Sequence, residues 1–242
     1  IVGSYSVTYN VVDANTNSST EVTRTVNIVD TTNPIISLTG NNPQVIEVHS
    51  AYTELNATAN DNYDGDISGN IIIDATNVNT AIVGSYSVTY NVVDANTNSA
   101  TEVTRTVNIV DTTNPIITLT GNDPQIIEYN ELYLELGATA TDNYDNDTAL
   151  TSTIIIDASN VIEGVLGTYT VTYNLTDING NVADQVERTV NVVDRTKPIL
   201  TLIGDNPQII EIINGDDAVY VELGATASDE YDVNVELWNR WR

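Results

Sequence analysis

The chain has 242 residues and a formal net charge of −27, with 34 acidic side chains against 7 basic ones. This balance argues against nucleic acid and anionic membrane surfaces as natural partners, because both are bound through Lys and Arg. Cys is absent, so neither a disulfide nor a thiolate metal site can form. The sequence contains no run of about 18 apolar residues, so no membrane-spanning helix is predicted. The surplus of carboxylates instead favours solubility and the binding of hard cations.

The predicted elements are β-strands, because apolar residues alternate with polar ones and no long segment has helical periodicity. Tyr86, Val88 and Tyr90, for example, alternate with Ser87 and Thr89. Turn signals separate the runs at intervals suited to a β-sandwich. In chain order, the first complete set is strand A at 35–38 with its continuation at 44–48, strand B at 54–59, strand C at 70–74, strand F at 84–93 and strand G at 101–110.

This pattern repeats along the chain. Residues 1–40 and 82–121 are identical except at Ser19/Ala100 and Ser37/Thr118, with an offset of 81 residues. Such a period predicts small tandem domains, and arrays of this kind usually provide length, spacing or many equivalent contacts rather than one catalytic pocket. The predicted domains are strands F and G of a module at 1–29, complete modules at 30–110 and 111–193, and strands A and B of a module at 194–242.

The acidic loop between strands B and C is the candidate site. Closely spaced carboxylates beside turn-forming residues supply the hard oxygen ligands that Ca²⁺ prefers. In a sandwich this loop lies at the same pole as the start of strand A and the loop after strand F. Five carboxylates per module should therefore converge there. The predicted ligands are Asp30, Asp61, Asp64, Asp66 and Asp94 in the first module, and Asp111, Asp142, Asp145, Asp147 and Asp177 in the second.

Two interpretations of these carboxylates are open. They can be solvated turn residues, since Asp and Asn are common in turns. Five carboxylates converging without a Lys or Arg partner would, however, repel one another strongly, which favours a structural Ca²⁺ site at each domain junction. Catalysis is not predicted, because paired carboxylates recur in every repeat beside no evident cleft, and no nucleophile triad, phosphate-binding loop or zinc motif is present.

Three segments resemble the bacterial surface immunoglobulin-like repeats, a group close to the hyalin-repeat and cadherin-like modules. They are Asp111–Leu119 (DTTNPIITL), Leu136–Asp142 (LGATATD) and Gly167–Tyr173 (GTYTVTY). The likeness covers essentially all of 1–236 and fails at the Trp- and Arg-containing tail 237–242. It implies tandem immunoglobulin-like β-sandwiches in an elongated rod, with a role in surface attachment or adhesion.

The predicted function is therefore that of a non-enzymatic, extracellular repeat protein that forms a stalk or filament stiffened by Ca²⁺ at its domain junctions. The alternative is a ligand-binding accessory module, for instance one that recognises carbohydrate beside a secreted enzyme. A binding module should expose aromatic side chains at equivalent positions. Here most repeated Tyr residues follow the inward phase of a strand, apart from Tyr63 and Tyr144 in the acidic loop.

The two partial modules bear on the partners that we expect. The chain begins with Ile1 rather than Met, and we expect it to be part of a longer protein. The partners are then further copies of the module in cis. Alternatively, strands A and B at 194–242 are completed in trans by strands F and G of the next copy, because open strand edges are templates for pairing. Such a head-to-tail contact would build a filament.

Overall fold

The computed structural model describes residues 1–211 and 220–237. The chain divides into two compact units, residues 1–112 and 113–242. Within the described residues, no helix has the length and apolar character needed to cross a membrane. The Trp- and Arg-containing tail 237–242, where the resemblance fails, lies outside the described residues except for Leu237.

Unit 1 opens with an antiparallel pair, β1 (Gly3–Tyr9) and β2 (Val22–Ile28), in which Gly3 lies opposite Ile28. These are the predicted strands F and G of a partial module. Apolar side chains of the pair are exposed, among them Val7 at 41% and Val26 at 38%. The corresponding side chains of the following module, Val88 and Val107, are fully buried.

The first complete module is a β-sandwich. Its strands in chain order are β3 (Ile35–Leu38), β4 (Gln44–Glu47), β5 (Ala57–Asp61), β6 (Gly65–Asp66), β7 (Ile72–Asp74), β8 (Gly84–Asn91) and β9 (Val103–Val110), with a 3-10 turn at Ser68–Asn70. One sheet has the order β3-β5-β6 and the other β4-β9-β8-β7. All neighbours are antiparallel except β4 and β9, which are parallel.

The structure differs most from the predicted strands at two places, while the other strand ends shift by at most about two residues. Residues 44–47 do not continue strand A in its sheet but cross to the other sheet and pair with β9. The chain turns between them, with Gly40 in the left-handed region at φ 75°. Strand B begins at Ala57 rather than Glu54, because Asn56 has φ 63°, a conformation that interrupts an extended run.

Unit 2 contains the second complete module, built in the same way. Its elements are β10 (Ile116–Leu119), β11 (Gln125–Glu128), β12 (Ala138–Thr141), α1 (Asp147–Thr151), β13 (Ile155–Asp157), β14 (Gly167–Asn174) and β15 (Val186–Val193). Strand β10 pairs with β12, and the second sheet has the order β11-β15-β14-β13. A longer acidic loop makes room for α1, whose first turn is capped by the Asn146 side chain accepting the Ala149 N–H group.

The core of this module shows why alternation specifies a sandwich. Val171 and Tyr173 of β14 and Val190 of β15 are fully buried, while the residues between them are not. They pack in one cluster with Ile117 and Ala140 of the other sheet. Burial of one face of each strand is the main stabilising term of such a domain. Unit 2 ends with the antiparallel pair β16 (Ile199–Leu202) and β17 (Ala225–Ser228).

Candidate metal centre

Three segments that are distant in sequence meet at one pole of the first module. Asp30 lies just after β2, Asp61 is the last residue of β5, and Asp94 lies in the turn after β8. One carboxylate oxygen from each residue lies within 4.8 Å of the other two. Asp61 and Asp94 are buried, at 5% and 7% exposure, and Asp30 is half-buried. The fold therefore assembles a group of three carboxylates, called here the carboxylate triad.

Each carboxylate of the triad is held by its own turn. Asp30 accepts the Thr32 N–H group through Oδ1 at 3.1 Å. Asp61 accepts the N–H groups of Tyr63 and Asp64 through Oδ2, at 2.7 and 3.1 Å. Such side-chain to backbone bonds are typical of Asx-turns and fix the carboxylate plane.

Asp94 is held more tightly than the other two. Its Oδ1 accepts the N–H groups of Asn96 and Asn98 at 2.9 and 2.7 Å, and its Oδ2 accepts the Asn98 amide at 2.7 Å. Burial opposes the charge on Asp94, but the hydrogen bonds from Asn98 and Asn96 outweigh it and lower the pKa of this carboxyl. Asp94 is therefore an anion at neutral pH.

Two oxygens of the triad have no hydrogen-bond partner among the described residues. They are Oδ2 of Asp30 and Oδ1 of Asp61, and both atoms are buried. A buried polar atom without a partner is costly in a folded protein and calls for an explanation. Mutual repulsion adds to this cost, on the order of a few kcal/mol per pair at an effective dielectric constant near 20.

The one Lys or Arg of the module does not offset this charge. Arg105 is the only Lys or Arg between residues 30 and 110. Its guanidinium is fully buried and donates instead to the carbonyl oxygens of Thr39, Asn41 and Asn56. The triad thus presents carboxylate oxygens, negative charge and lone pairs that accept no hydrogen bond at one place. Such a donor set suits a hard divalent cation such as Ca²⁺.

Two further residues predicted as ligands have hydrogen bonds of their own. Asp64 accepts the Ala95 N–H group through Oδ2 at 2.8 Å and so ties the acidic loop to the turn after β8. Asp66 is exposed and accepts the N–H and hydroxyl groups of Ser68, at 3.0 and 2.6 Å, at the start of the 3-10 turn. Neither belongs to the carboxylate triad, and a role for them as ligands stays a prediction.

The second module repeats the local geometry in unit 2. Carboxylate oxygens of Asp142 and Asp177 lie within 4.8 Å of each other. Asp142 accepts the Tyr144 and Asp145 N–H groups through Oδ2, and its Oδ1 is buried without a hydrogen-bond partner among the described residues. Asp145 accepts the Ile178 N–H group, as Asp64 accepts that of Ala95.

Two predicted ligands of the second module remain. Asp147 is exposed and is the first residue of α1. Asp111 is buried at the end of unit 1, in the sequence position that Asp30 has in the first module. Both stay predicted ligands.

Sequence reasoning missed one residue of the site, Asn98. Its side-chain amide donates to the Asp30 carbonyl oxygen at 3.3 Å and to Asp94 Oδ2 at 2.7 Å, and so joins the linker to the turn after β8. The signal was present in the sequence, because an Asn follows an Asp by four residues in each copy of this turn. The pairs are Asp13 and Asn17, Asp94 and Asn98, and Asp177 and Asn181.

Comparison with known proteins identifies related chains. The sequence is 33% identical over 220 residues to "Hyalin" of Strongylocentrotus purpuratus, which covers 85% of this chain and 18% of that protein. It is 33% identical over 139 residues to "Pesticidal crystal protein Cry22Aa" of Bacillus thuringiensis, covering 55% of this chain and 18% of that protein. An "Uncharacterized 81.3 kDa protein" of Acholeplasma phage L2 is 30% identical over 185 residues, covering 74% of this chain and 24% of that protein.

The chain thus spans about a fifth of the length of the curated relatives it matches. The family model described as "Bacterial surface protein, Ig-like domain" matches residues 36–109 and 117–192, which are the two complete sandwiches. These two stretches make up more than half of the chain and contain both copies of the core, so the resemblance seen in the sequence motifs is confirmed. The chain belongs to the family of bacterial surface protein Ig-like domains.

Proposed function

We propose that this chain is part of a structural, non-enzymatic stalk or filament in which Ca²⁺ stiffens the junctions between Ig-like modules, and that it serves surface attachment or adhesion. Membership of a surface-protein family supports a surface or extracellular location. The tandem arrangement supports a mechanical role, because repeat proteins build length from nearest-neighbour contacts.

The observation that carries the proposal is Asp61. Its side chain is more than nine-tenths buried, and one oxygen is used by the acidic loop, while the other is buried without a hydrogen-bond partner among the described residues. An oxygen of this carboxylate lies within 4.8 Å of oxygens of Asp30 and Asp94. A cation bound there would satisfy this oxygen and neutralise the repulsion within the triad. It would also join the linker at Asp30 to two loops of the module, which is how an ion would stiffen a junction.

The donor set favours Ca²⁺ among the common cations. All three side chains offer hard oxygen atoms, and Cys is absent from the chain. Ca²⁺ accepts six to eight oxygens in flexible geometry, so water and carbonyl groups can complete the shell, whereas Mg²⁺ demands a near-ideal octahedron. The Asp30, Asp61 and Asp94 carboxylates would hold the ion.

Calorimetric titration of the whole chain with Ca²⁺ tests the proposal, with thermal unfolding measured in parallel. We expect Asp61→Asn to lower the number of ions bound, while Asp74→Asn serves as a control. Asp74 is also an Asx-turn acceptor, bonded to Thr76, but lies outside the triad. At a free Ca²⁺ concentration of about 100 times Kd, binding should stabilise the fold by about 2.7 kcal/mol. Absence of Ca²⁺ uptake by the unmodified chain would refute the proposal.

The partners that we propose are further copies of the module, in cis or head-to-tail in trans. Support comes from the β1–β2 pair, whose Val7 and Val26 are exposed although their counterparts Val88 and Val107 are fully buried by the opposite sheet of their module. Denaturing mass spectrometry of native assemblies separates the two arrangements. A subunit near 26.2 kDa favours assembly in trans, and a much larger chain favours copies in cis.

A second candidate function is a glycan-binding accessory module. A cleft of about 310 Å³ lies in unit 2 between α1 and the turn after β14, and Asp145, Leu150, Thr176 and Ile178 are among its lining residues. A lining of both polar and apolar groups suits a single sugar ring, and this volume is at the lower end of ligand pockets. Glycan-array screening tests this function. Binding that is lost in Leu150→Gln but kept in Ile67→Gln, the corresponding loop residue of the first module, would favour it.

A further inference from the structure

The acidic loop carries a tyrosine that the core of its own module does not use. The sequence Asp-x-Tyr-Asp occurs at residues 61–64, 142–145 and 229–232. Tyr63 is 49% exposed and Tyr231 is 43% exposed. An aromatic side chain kept at the same loop position without a place in the core needs another contact.

In unit 1 this contact is with the preceding strand pair. The N–H group of Val2, just before β1, donates to the hydroxyl oxygen of Tyr63 at 3.3 Å across 61 residues of sequence. Val2 belongs to the partial module at 1–29, whereas Tyr63 belongs to the first complete module. The tyrosine hydroxyl thus contacts the neighbouring module.

In unit 2 the third copy of the loop makes an equivalent contact with different chemistry. The ring of Tyr231 meets the ring of Tyr129 edge to face, with centroids 5.1 Å apart and planes at 75°. The adjacent Asn130 amide donates to a Glu230 carboxylate oxygen at 3.4 Å. Tyr129 and Asn130 directly follow β11 in the second complete module, so the loop tyrosine again contacts the module before its own.

The surfaces contacted by the two tyrosines belong to the same end of a module. Asn130 donates its backbone N–H group to the Glu163 carbonyl oxygen at 2.9 Å. Glu163 lies in the loop that leads into β14, the strand that corresponds to β1. Val2 and Tyr129 therefore represent two neighbouring segments of one docking surface, reached by the loop tyrosine in both units.

The triad and the tyrosine share one carboxylate. Asp61 accepts the Tyr63 N–H group through Oδ2 at 2.7 Å, and its Oδ1 is buried without a hydrogen-bond partner among the described residues. The same carboxylate belongs to the triad. Asp229 holds the Tyr231 and Asp232 N–H groups in the same way, at 3.0 and 3.1 Å. An ion bound to the carboxylate oxygen that does not accept these N–H groups would fix the carboxylate plane, and the plane fixes the backbone from which the tyrosine projects.

We propose that Tyr63, and Tyr231 in its own copy of the loop, is the positioning residue through which cation binding locks the module that carries it onto the module before it. This inference rests on the proposed Ca²⁺ site and adds a second component to the junction. The ion orders the loop, and the tyrosine makes the contact between modules. Loss of either component should free the junction.

The test uses the absence of Cys in the chain. Single Cys residues replace Ser6 in β1 and Ser87 in β8, which are exposed and equivalent in the two copies, and carry spin labels. The distance distribution between the labels is measured by electron spin resonance with Ca²⁺ and with chelator. Ca²⁺ uptake by each variant is measured by calorimetry on the same material.

We expect the distribution of the otherwise unmodified chain to narrow when Ca²⁺ is added. Tyr63→Ser should keep Ca²⁺ uptake but show the broad distribution of the chelated chain under both conditions, whereas the neighbouring exposed substitution Asn62→Ser should behave as the unmodified chain. If Tyr63→Ser binds Ca²⁺ and still gives a narrow distance distribution, the proposed role of the tyrosine is wrong, while the Ca²⁺ site is not affected. No uptake by the unmodified chain would overturn the Ca²⁺ site and the coupling together.

Discussion

The Nε atom of Arg105 donates a 2.9 Å hydrogen bond to the hydroxyl oxygen of Tyr90, and both side chains are fully buried between the sheets of the first module. Tyr90 in turn donates to Glu54 Oε1 at 2.6 Å. The charge of the arginine is thus connected to that of the glutamate through the phenol. Arg188, Tyr173 and Glu135 repeat this arrangement in the second module.

Replacing Arg105 with Met should destabilise the first module by about 3–5 kcal/mol, because the Tyr90 hydroxyl oxygen and three carbonyl oxygens lose their donor. Chemical denaturation gives the free energy of unfolding. Arg24→Met is the matched control, since Arg24 is the counterpart of Arg105 in the first copy and is exposed. Equal losses for the two substitutions would contradict the importance of the buried network.

Acid should weaken the first module through Glu54. Burial opposes its charge, but hydrogen bonds from Tyr52 and Tyr90 outweigh this and lower its pKa. A carboxyl whose pKa is depressed by folding contributes stability above its unfolded value, roughly 4.3, and this contribution is lost as the pH falls through the folded value. Unfolding free energy measured against pH should therefore fall less steeply in this range for Glu54→Gln than for the unmodified chain. Parallel curves would contradict the prediction.

Alkali should also weaken the first module, through ionisation of Tyr52 and Tyr90. Burial and the hydrogen bond to Glu54 raise the pKa of Tyr52, and burial with the same glutamate raises that of Tyr90. A group whose pKa is raised by folding stabilises the fold below its unfolded value, about 10 for Tyr, and the contribution is lost as the pH rises through the folded value. The ultraviolet titration curve of the unmodified chain, minus that of the Tyr52→Phe variant, should show a phenol that ionises above the ordinary pKa. Ionisation of every phenol in one step near the ordinary value would refute this.

Gly40 should not tolerate a side chain. Its φ is 75°, and a Cβ atom would lie 2.9 Å from Leu55 Cδ1. Gly40→Ala should therefore cost about 1–2 kcal/mol, from the left-handed backbone alone, plus the effect of crowding. Gly69→Ala is the control, since nothing lies within 4 Å of its Cβ position. Thermal unfolding that is lowered equally by both changes would argue against this explanation.

Residues 111–193 should fold in isolation. The buried cluster of the second module draws all of its members from residues 117 to 192, and a core closed within one repeat needs no neighbour for its hydrophobic burial. Calorimetry of the fragment should show one cooperative transition in the presence of Ca²⁺. A fragment without such a transition would mean that the predicted boundaries are wrong.

The fold class could be predicted because its signals are local. Alternation with a period of two marks the buried face of each strand, as at Val88 and Tyr90, and near-identical copies mark the repeat. The prediction of tandem Ig-like sandwiches is confirmed by the all-β architecture and by the family match. The start of strand B was missed, because a positive φ at Asn56 leaves no clear sign in the alternation.

The sequence by itself determined the residue types of the candidate site and the period at which they return. Only the tertiary structure decided that Asp30, Asp61 and Asp94 form the triad while Asp64 and Asp66 bond elsewhere, and that Asn98 joins the linker to the turn. The physical reason is the sequence distance over which each feature is determined. A strand pattern records which face a residue occupies, but convergence at a pole depends on pairings between segments more than thirty residues apart, and each carboxylate oxygen is assigned by the donors that those pairings bring within reach.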